Sequence, residues 1–175
     1  GCDSGHWAGI KLEQPAVLSY VALLSGQLTR PDRVFLAEIE GSNDGINWEP
    51  ILQLGDVYAE YEDYANDVWG ADNYAMWIEY AWDADGNDYA DEDPTEPKAY
   101  TYYRVFNTDN DNYGEIEFWG TIEEVEAPEV PADEVVKLND YATIIKGEAV
   151  TADVTLAFDG NKDTGTPFGG ADSDH

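Results

Sequence analysis

Several runs of this chain alternate apolar and polar residues with a period of two, and helical periodicity is scarce throughout. Trp7 to Leu12 reads as a strand, with a turn after it at Glu13-Gln14-Pro15. Val17 to Leu24 reads as a second strand, apolar on both faces. Val34 to Glu40 alternates, with Phe35, Ala37 and Ile39 on one face and Glu38 and Glu40 on the other. Asn43-Asp44-Gly45 then sits between two strand-like runs, and these three residue types tolerate the positive φ that a hairpin turn demands. Further strands are predicted at Trp48 to Leu54, Met76 to Trp82, Tyr100 to Phe106, Glu115 to Trp119, Tyr141 to Ile145 and Val150 to Phe158. Eight to ten strands with scarce helical periodicity predict an all-β sandwich or barrel.

Composition divides the chain further. Asp56 to Glu96 carries 14 acids and 9 Tyr or Trp, with no Lys or Arg. Residues 121–134 are rich in proline and acid, the texture of an extended linker. At full extension those residues reach roughly 45 Å. Strand-like texture resumes at Val135 and leads into the loop Phe158-Asp159-Gly160-Asn161-Lys162-Asp163-Thr164-Gly165. The reading is therefore a main body over 1–120, a linker over 121–134 and a closing segment over 135–175.

Charge narrows the partners. There are 38 acids against 8 basic residues, a net charge of -30. Binding to nucleic acid needs clustered Lys and Arg, so this balance excludes it as a partner class. Anionic membrane surfaces are disfavoured for the same reason, and no apolar run reaches the roughly 18–20 residues of a membrane span. Cations, Ca²⁺ above all, would relieve the self-repulsion. One cysteine, Cys2, cannot form an intrachain disulfide. Two histidines, at 6 and 175, supply no nucleophile–base framework, so no catalytic activity is expected.

Four strings stand in order: Trp7-Ala8-Gly9-Ile10-Lys11-Leu12, Gly41-Ser42-Asn43-Asp44-Gly45-Ile46-Asn47-Trp48, Ala99-Tyr100-Thr101-Tyr102-Tyr103-Arg104-Val105 and Glu115-Ile116-Glu117-Phe118-Trp119-Gly120. Together they resemble the discoidin, or coagulation-factor C-type, domain and the carbohydrate-binding modules of the same galactose-binding-like jelly roll. The resemblance covers residues 1–120. It implies an antiparallel jelly-roll β-sandwich. It also implies a departure from the family order, because the strand and Asp-Gly loop that usually begin such a domain come last here, at 135–164. The chain thus reads as circularly permuted, or as one period cut out of register from a tandem array. Residues 135–175 would complete their own domain or that of a neighbouring copy.

In calcium-bearing relatives a loop of this kind and a Glu near the last strand hold one Ca²⁺. The resemblance therefore implies a metal site from Asp159, Asn161, Asp163 or Thr164, and Glu115 or Glu117. Mixed carboxylate, carbonyl and hydroxyl oxygens suit that ion. Relatives bind sugars with loops at one end of the sandwich. Tyr64, Trp69, Tyr74, Trp77, Trp82 and Tyr89 are the candidate stacking rings, because sugar C–H faces pack on aromatic faces. Trp7, Trp48 and Trp119 lie on strands and are expected in the core. The expected function is an extracellular or cell-surface, non-catalytic, calcium-stabilised adhesion or glycan-binding module. The alternative is a structural subunit of an extracellular filament or surface layer, a homopolymer assembled head-to-tail by strand complementation.

Overall fold

A computed structural model describes residues 6–25, 31–57, 77–81, 98–107, 112–122, 135–147, 150, 153–160 and 166–167. The strands are β1 (Trp7–Ser25), β2 (Ala37–Ser42), β3 (Glu49–Gln53), β4 (Trp77–Ala81), β5 (Ala99–Asn107), β6 (Asn112–Ile122), β7 (Val136–Lys137), β8 (Ala142–Lys146) and β9 (Thr166–Pro167). Every pairing among them is antiparallel. The all-β, antiparallel expectation holds.

The sheet is organised around β1. Its first half, Trp7 to Leu12, lies between β5 and β8. Its second half, Ala16 to Ser25, lies between β6 and β4. One half therefore continues through β5 to β2 and β3, and the other through β6 to β7 and β9. The expected turn at Glu13-Gln14-Pro15 does not form; the strand runs on for 19 residues. What occurs there is a register shift between Lys11 and Ala16. Pro15 has no N–H to give a ladder, so a place where the strand changes partners suits it.

Both halves feed one core. Ala8, Ile10 and Leu12 from the first half and Leu18, Val21 and Leu23 from the second are buried in it. Tyr103 on β5 and Phe118 on β6 meet across it, with ring centroids 6.0 Å apart. The Tyr103 hydroxyl donates to the Ala16 carbonyl, which satisfies a buried polar group at the register shift. Gly9 makes the β1–β5 approach possible, since a Cβ there would stand 2.1 Å from the Tyr103 carbonyl oxygen.

The β2–β3 hairpin forms as the Asn-Asp-Gly signal predicts. Gly45 takes φ of 71°. Asp44 fastens the turn by accepting from the Ile46 N–H at 2.8 Å and the Asn47 N–H at 2.7 Å. Asn43 reaches across to β5, where its Oδ1 accepts from the Thr101 N–H at 3.0 Å.

Two predicted strands are shorter or absent. Pro31–Leu36 is a 3-10 helix, so only Ala37 onward of the Val34 run is strand. Pro31 begins that turn, where a missing N–H costs nothing. Val154–Ala157 is also 3-10, not the strand expected over Val150 to Phe158. Asp153 explains it: its carboxylate accepts from the Thr155 N–H at 3.1 Å and the Thr155 hydroxyl at 2.6 Å, a local cap that competes with a ladder.

The segment from Val135 onward pairs with the body of its own chain. β7 adds to β6 at Trp119↔Lys137 and Gly120↔Val136. β8 adds to β1 from Ala8↔Lys146 to Leu12↔Ala142. β9 adds to β6 at Asn112↔Pro167 and Tyr113↔Thr166. Leu138, Val150, Val154, Ala157 and Phe158 join the common core.

Candidate functional site

Residues of β6 alternate faces. Ile116 and Phe118 point into the core with no solvent exposure. Glu115 and Glu117 therefore share the opposite face. A sheet face outside the core is ordinarily wet, yet Glu115 is also fully buried. The 3-10 turn Val154–Ala157 packs against β6 and leads into Phe158-Asp159-Gly160. Phe158 is buried and Gly160 takes φ of 74°, which returns the chain toward β9.

Among the described residues, neither oxygen of Glu115 has a hydrogen-bond partner. An unpaired carboxylate in such a place is costly. Burial pushes the Glu115 carboxyl up to about 7; Lys137 opposes that rise, and the carboxylates of Glu117 and Asp159 add to it. The Gly160 N–H favours the charged form without meeting hydrogen-bond geometry. Glu117 is differently placed. Its carboxylate receives Lys137 Nζ at 2.7 Å and the Trp119 indole N–H at 3.1 Å.

The structure thus brings Asp159 and Glu115 into electrostatic contact and gives Glu117 to Lys137 and Trp119. Asn161, Asp163 and Thr164 lie outside the described residues. A buried carboxylate without a hydrogen-bond partner, raised by the charge of a second carboxylate, has the oxygen chemistry that a hard divalent cation takes. No group of three or more His, Cys, Asp or Glu side chains converges among the described residues.

The closing segment is held onto β6 by an amide. The Asn139 side chain accepts from the Phe118 N–H at 2.9 Å and donates to the Ile116 carbonyl at 2.7 Å. One side chain thereby does the work of a ladder residue where β7 has already ended.

Of the expected stacking rings, Trp77 lies on β4 opposite Leu24. Tyr64, Trp69, Tyr74, Trp82 and Tyr89 lie outside the described residues. A different aromatic group is present. Trp7, Trp48, Tyr102 and Phe106 are half-buried around Arg104 on the outer side of the β2–β5–β1 half. The guanidinium carbon lies 4.1 Å from the Trp48 ring centre, 5.0 Å from Phe106 and 5.3 Å from Trp7. Arg104 Nε donates to Glu40 on β2. Trp7 and Trp48 are 5.5 Å apart. These two indoles, expected in the core, instead cover a cation outside it, and Trp119 is half-buried rather than core. Strand parity carried the missed signal: Trp7 alternates with Ala8 and Ile10, which own the inner face.

Family models, curated proteins and solved structures give no match to this chain.

Proposed function

We propose that this chain is an extracellular, non-catalytic module of galactose-binding-like jelly-roll type, in permuted strand order, that is stabilised by calcium and binds glycans in adhesion. The observation that carries the reading is Glu115: a carboxylate with no solvent exposure and no hydrogen-bond partner among the described residues, beside Asp159. Its placement agrees with the calcium site that the discoidin resemblance implies. Glu115 and Asp159 would hold the ion, with Asn161 and Asp163 or Thr164 of the same loop completing it. The ion would neutralise two like-charged carboxylates and so fasten the closing segment to β6. Glycan binding is supported by the resemblance and by the aromatic content. The half-buried face of Trp7, Trp48 and Tyr102 adds rings of the kind on which sugars stack.

Calcium titration by calorimetry, with melting curves in calcium and in chelator, tests the metal. One site per chain and a higher melting temperature in calcium are expected, both lost in Glu115→Gln. Unchanged calcium binding in that variant removes the site from Glu115. A glycan array probed in calcium tests the ligand, and an array with no binding above background counts against adhesion through sugars.

A further inference from the structure

Among the described residues, the β7–β9 segment meets its body chiefly through β1 and β6. β8 pairs with Ala8 to Leu12, and the Gly147 N–H donates to the Trp7 carbonyl at 2.9 Å. Asn139 and Lys137 bind β6, and Leu138 fills the core. Without the segment, the first half of β1 would lose one of its two ladder partners, and the place of Leu138 would stand open. Nothing in these contacts depends on which copy of the chain supplies the segment.

The connection between body and segment is far longer than its path requires. Gly120 pairs with Val136, so the chain leaves β6 and enters β7 about one strand spacing away, roughly 5 Å. A hairpin closes that gap with about 2–5 residues. Here 12 residues, 123–134, separate Ile122 from Val135. Six of them are acids, two are Pro, and there is no Gly and no cation. Like charges and prolines both stiffen and extend a chain. At full extension this link reaches roughly 40 Å, which spans from one body to the next. This composition favours an extended link over a compact one.

We propose that two copies of this chain exchange residues 135–167, so that β8 of one copy pairs with β1 of the other and β7 and β9 pair with its β6. Each copy then contributes its Asp159 to the Glu115 of its partner. The pairings of the single-chain form are kept in the exchanged one. Loop closure favours the single-chain form at low concentration, since a short linker gives an effective concentration in the mM range. Exchange therefore rises with protein concentration. It rises with salt as well, because salt screens the repulsion between two bodies of this charge.

Lys11 and Thr143 face each other across β1 and β8, and both are exposed. Antiparallel neighbours are close enough for a disulfide. In a Cys2→Ser background, Lys11→Cys and Thr143→Cys chains are unfolded together, refolded at rising concentration in physiological salt and oxidised. The expected result is a covalent pair whose peptide map shows position 11 of one chain joined to position 143 of the other, in a yield that grows with concentration. The double variant, refolded at high dilution, should close the same bond within one chain. Replacing 123–134 by Asn-Gly should abolish the interchain bond and leave only monomer by native mass spectrometry. The proposal is overturned if the double variant bonds only within its own chain at every concentration while the mixed chains give no 11–143 link. A dimer of the mixed chains that forms without any 11–143 link also overturns it, since that dimer would form face to face. The chelated protein serves as well as the calcium form, so failure here is separable from failure of the metal site.

Discussion

The indole of Trp48, at the end of the β2–β3 turn, lies over the guanidinium of Arg104 on β5, 4.1 Å from ring centre to carbon. That contact folds the hairpin back onto the outer face of the sheet. The cation is held on its edge by Glu40 and on its faces by aromatic rings. A guanidinium does both jobs because it is planar and hydrogen-bonds in its plane while stacking above it.

Arg104→Ala should therefore cost about 3 kcal/mol, because it strips the partner from a mostly buried Glu40 and opens a space under Trp48. Urea unfolding followed by tryptophan fluorescence measures it. Arg104→Lys should recover only part of the loss, since an ammonium cannot stack. A loss below about 1 kcal/mol for the alanine variant would mean that the pair is exchanged for water without penalty.

Glu115 predicts an unusual pH profile for the chelated protein. Its carboxyl is raised to about 7 in the fold against an ordinary 4.5. Below 4.5 both folded and unfolded forms hold the proton, and no stability is lost. Between 4.5 and 7 the unfolded chain gives up its proton while the fold keeps it, so stability falls as pH rises through that window. Glu115→Gln should flatten this part of the profile. Calcium should reverse its slope in the native protein, because the ion binds the charged form. Chelated stability that rises steadily from pH 5 to 7 by an amount unaffected by Glu115→Gln would contradict the assignment.

Asn139 bonds both neighbouring backbone groups of β6. Asn139→Ala should cost about 2 kcal/mol, as both groups lose their partner in a partly buried place. Hydrogen exchange should show the Phe118 amide losing protection ahead of the Tyr103 amide on β5. Equal loss at both would mean that the sheet opens as one unit and that Asn139 is no local clamp.

Gly45→Ala should destabilise the hairpin by about 1 kcal/mol, because alanine is strained at a φ of 71°. The new methyl would also press on Tyr102, whose ring lies 3.2 Å from that position. Thermal melts of the variant should be lower, with the Ile46 and Asn47 amides exchanging faster. An unchanged melt would show that the turn adopts another form at little cost.

Much of the fold was legible because its signals are local. The Asn43-Asp44-Gly45 turn announces itself through φ preference, and β5 through an unbroken run of β-forming residues. Pro15 in β1 reads as a turn from sequence because proline looks the same in both settings; only the partners, distant in sequence, distinguish a reversal from a strand that changes neighbours. Val154–Ala157 has strand-like residues, yet Asp153 overrides them with one capping bond. Asp159 is legible as part of an Asp-Gly loop, and its charge reaches Glu115 in the fold. The choice between Glu115 and Glu117 was not legible, since both share a strand face and differ only in that Lys137 reaches one of them. The Arg104 cluster escaped notice because it joins β1, β2, β5 and a loop that are remote along the chain.

Strand β1 has a consequence for synthesis. It precedes its mates in chain order: its first half ends at Leu12, and β5 and β8 begin at Ala99 and Ala142, about 90 and 130 residues later. The strand that both halves of the sheet share must wait, apolar and incompletely paired, until β8 has been translated. Such a chain folds late and as a whole rather than piece by piece. Its acidity then acquires a second meaning: repulsion between nascent chains keeps one exposed β1 from finding another before its own partners arrive.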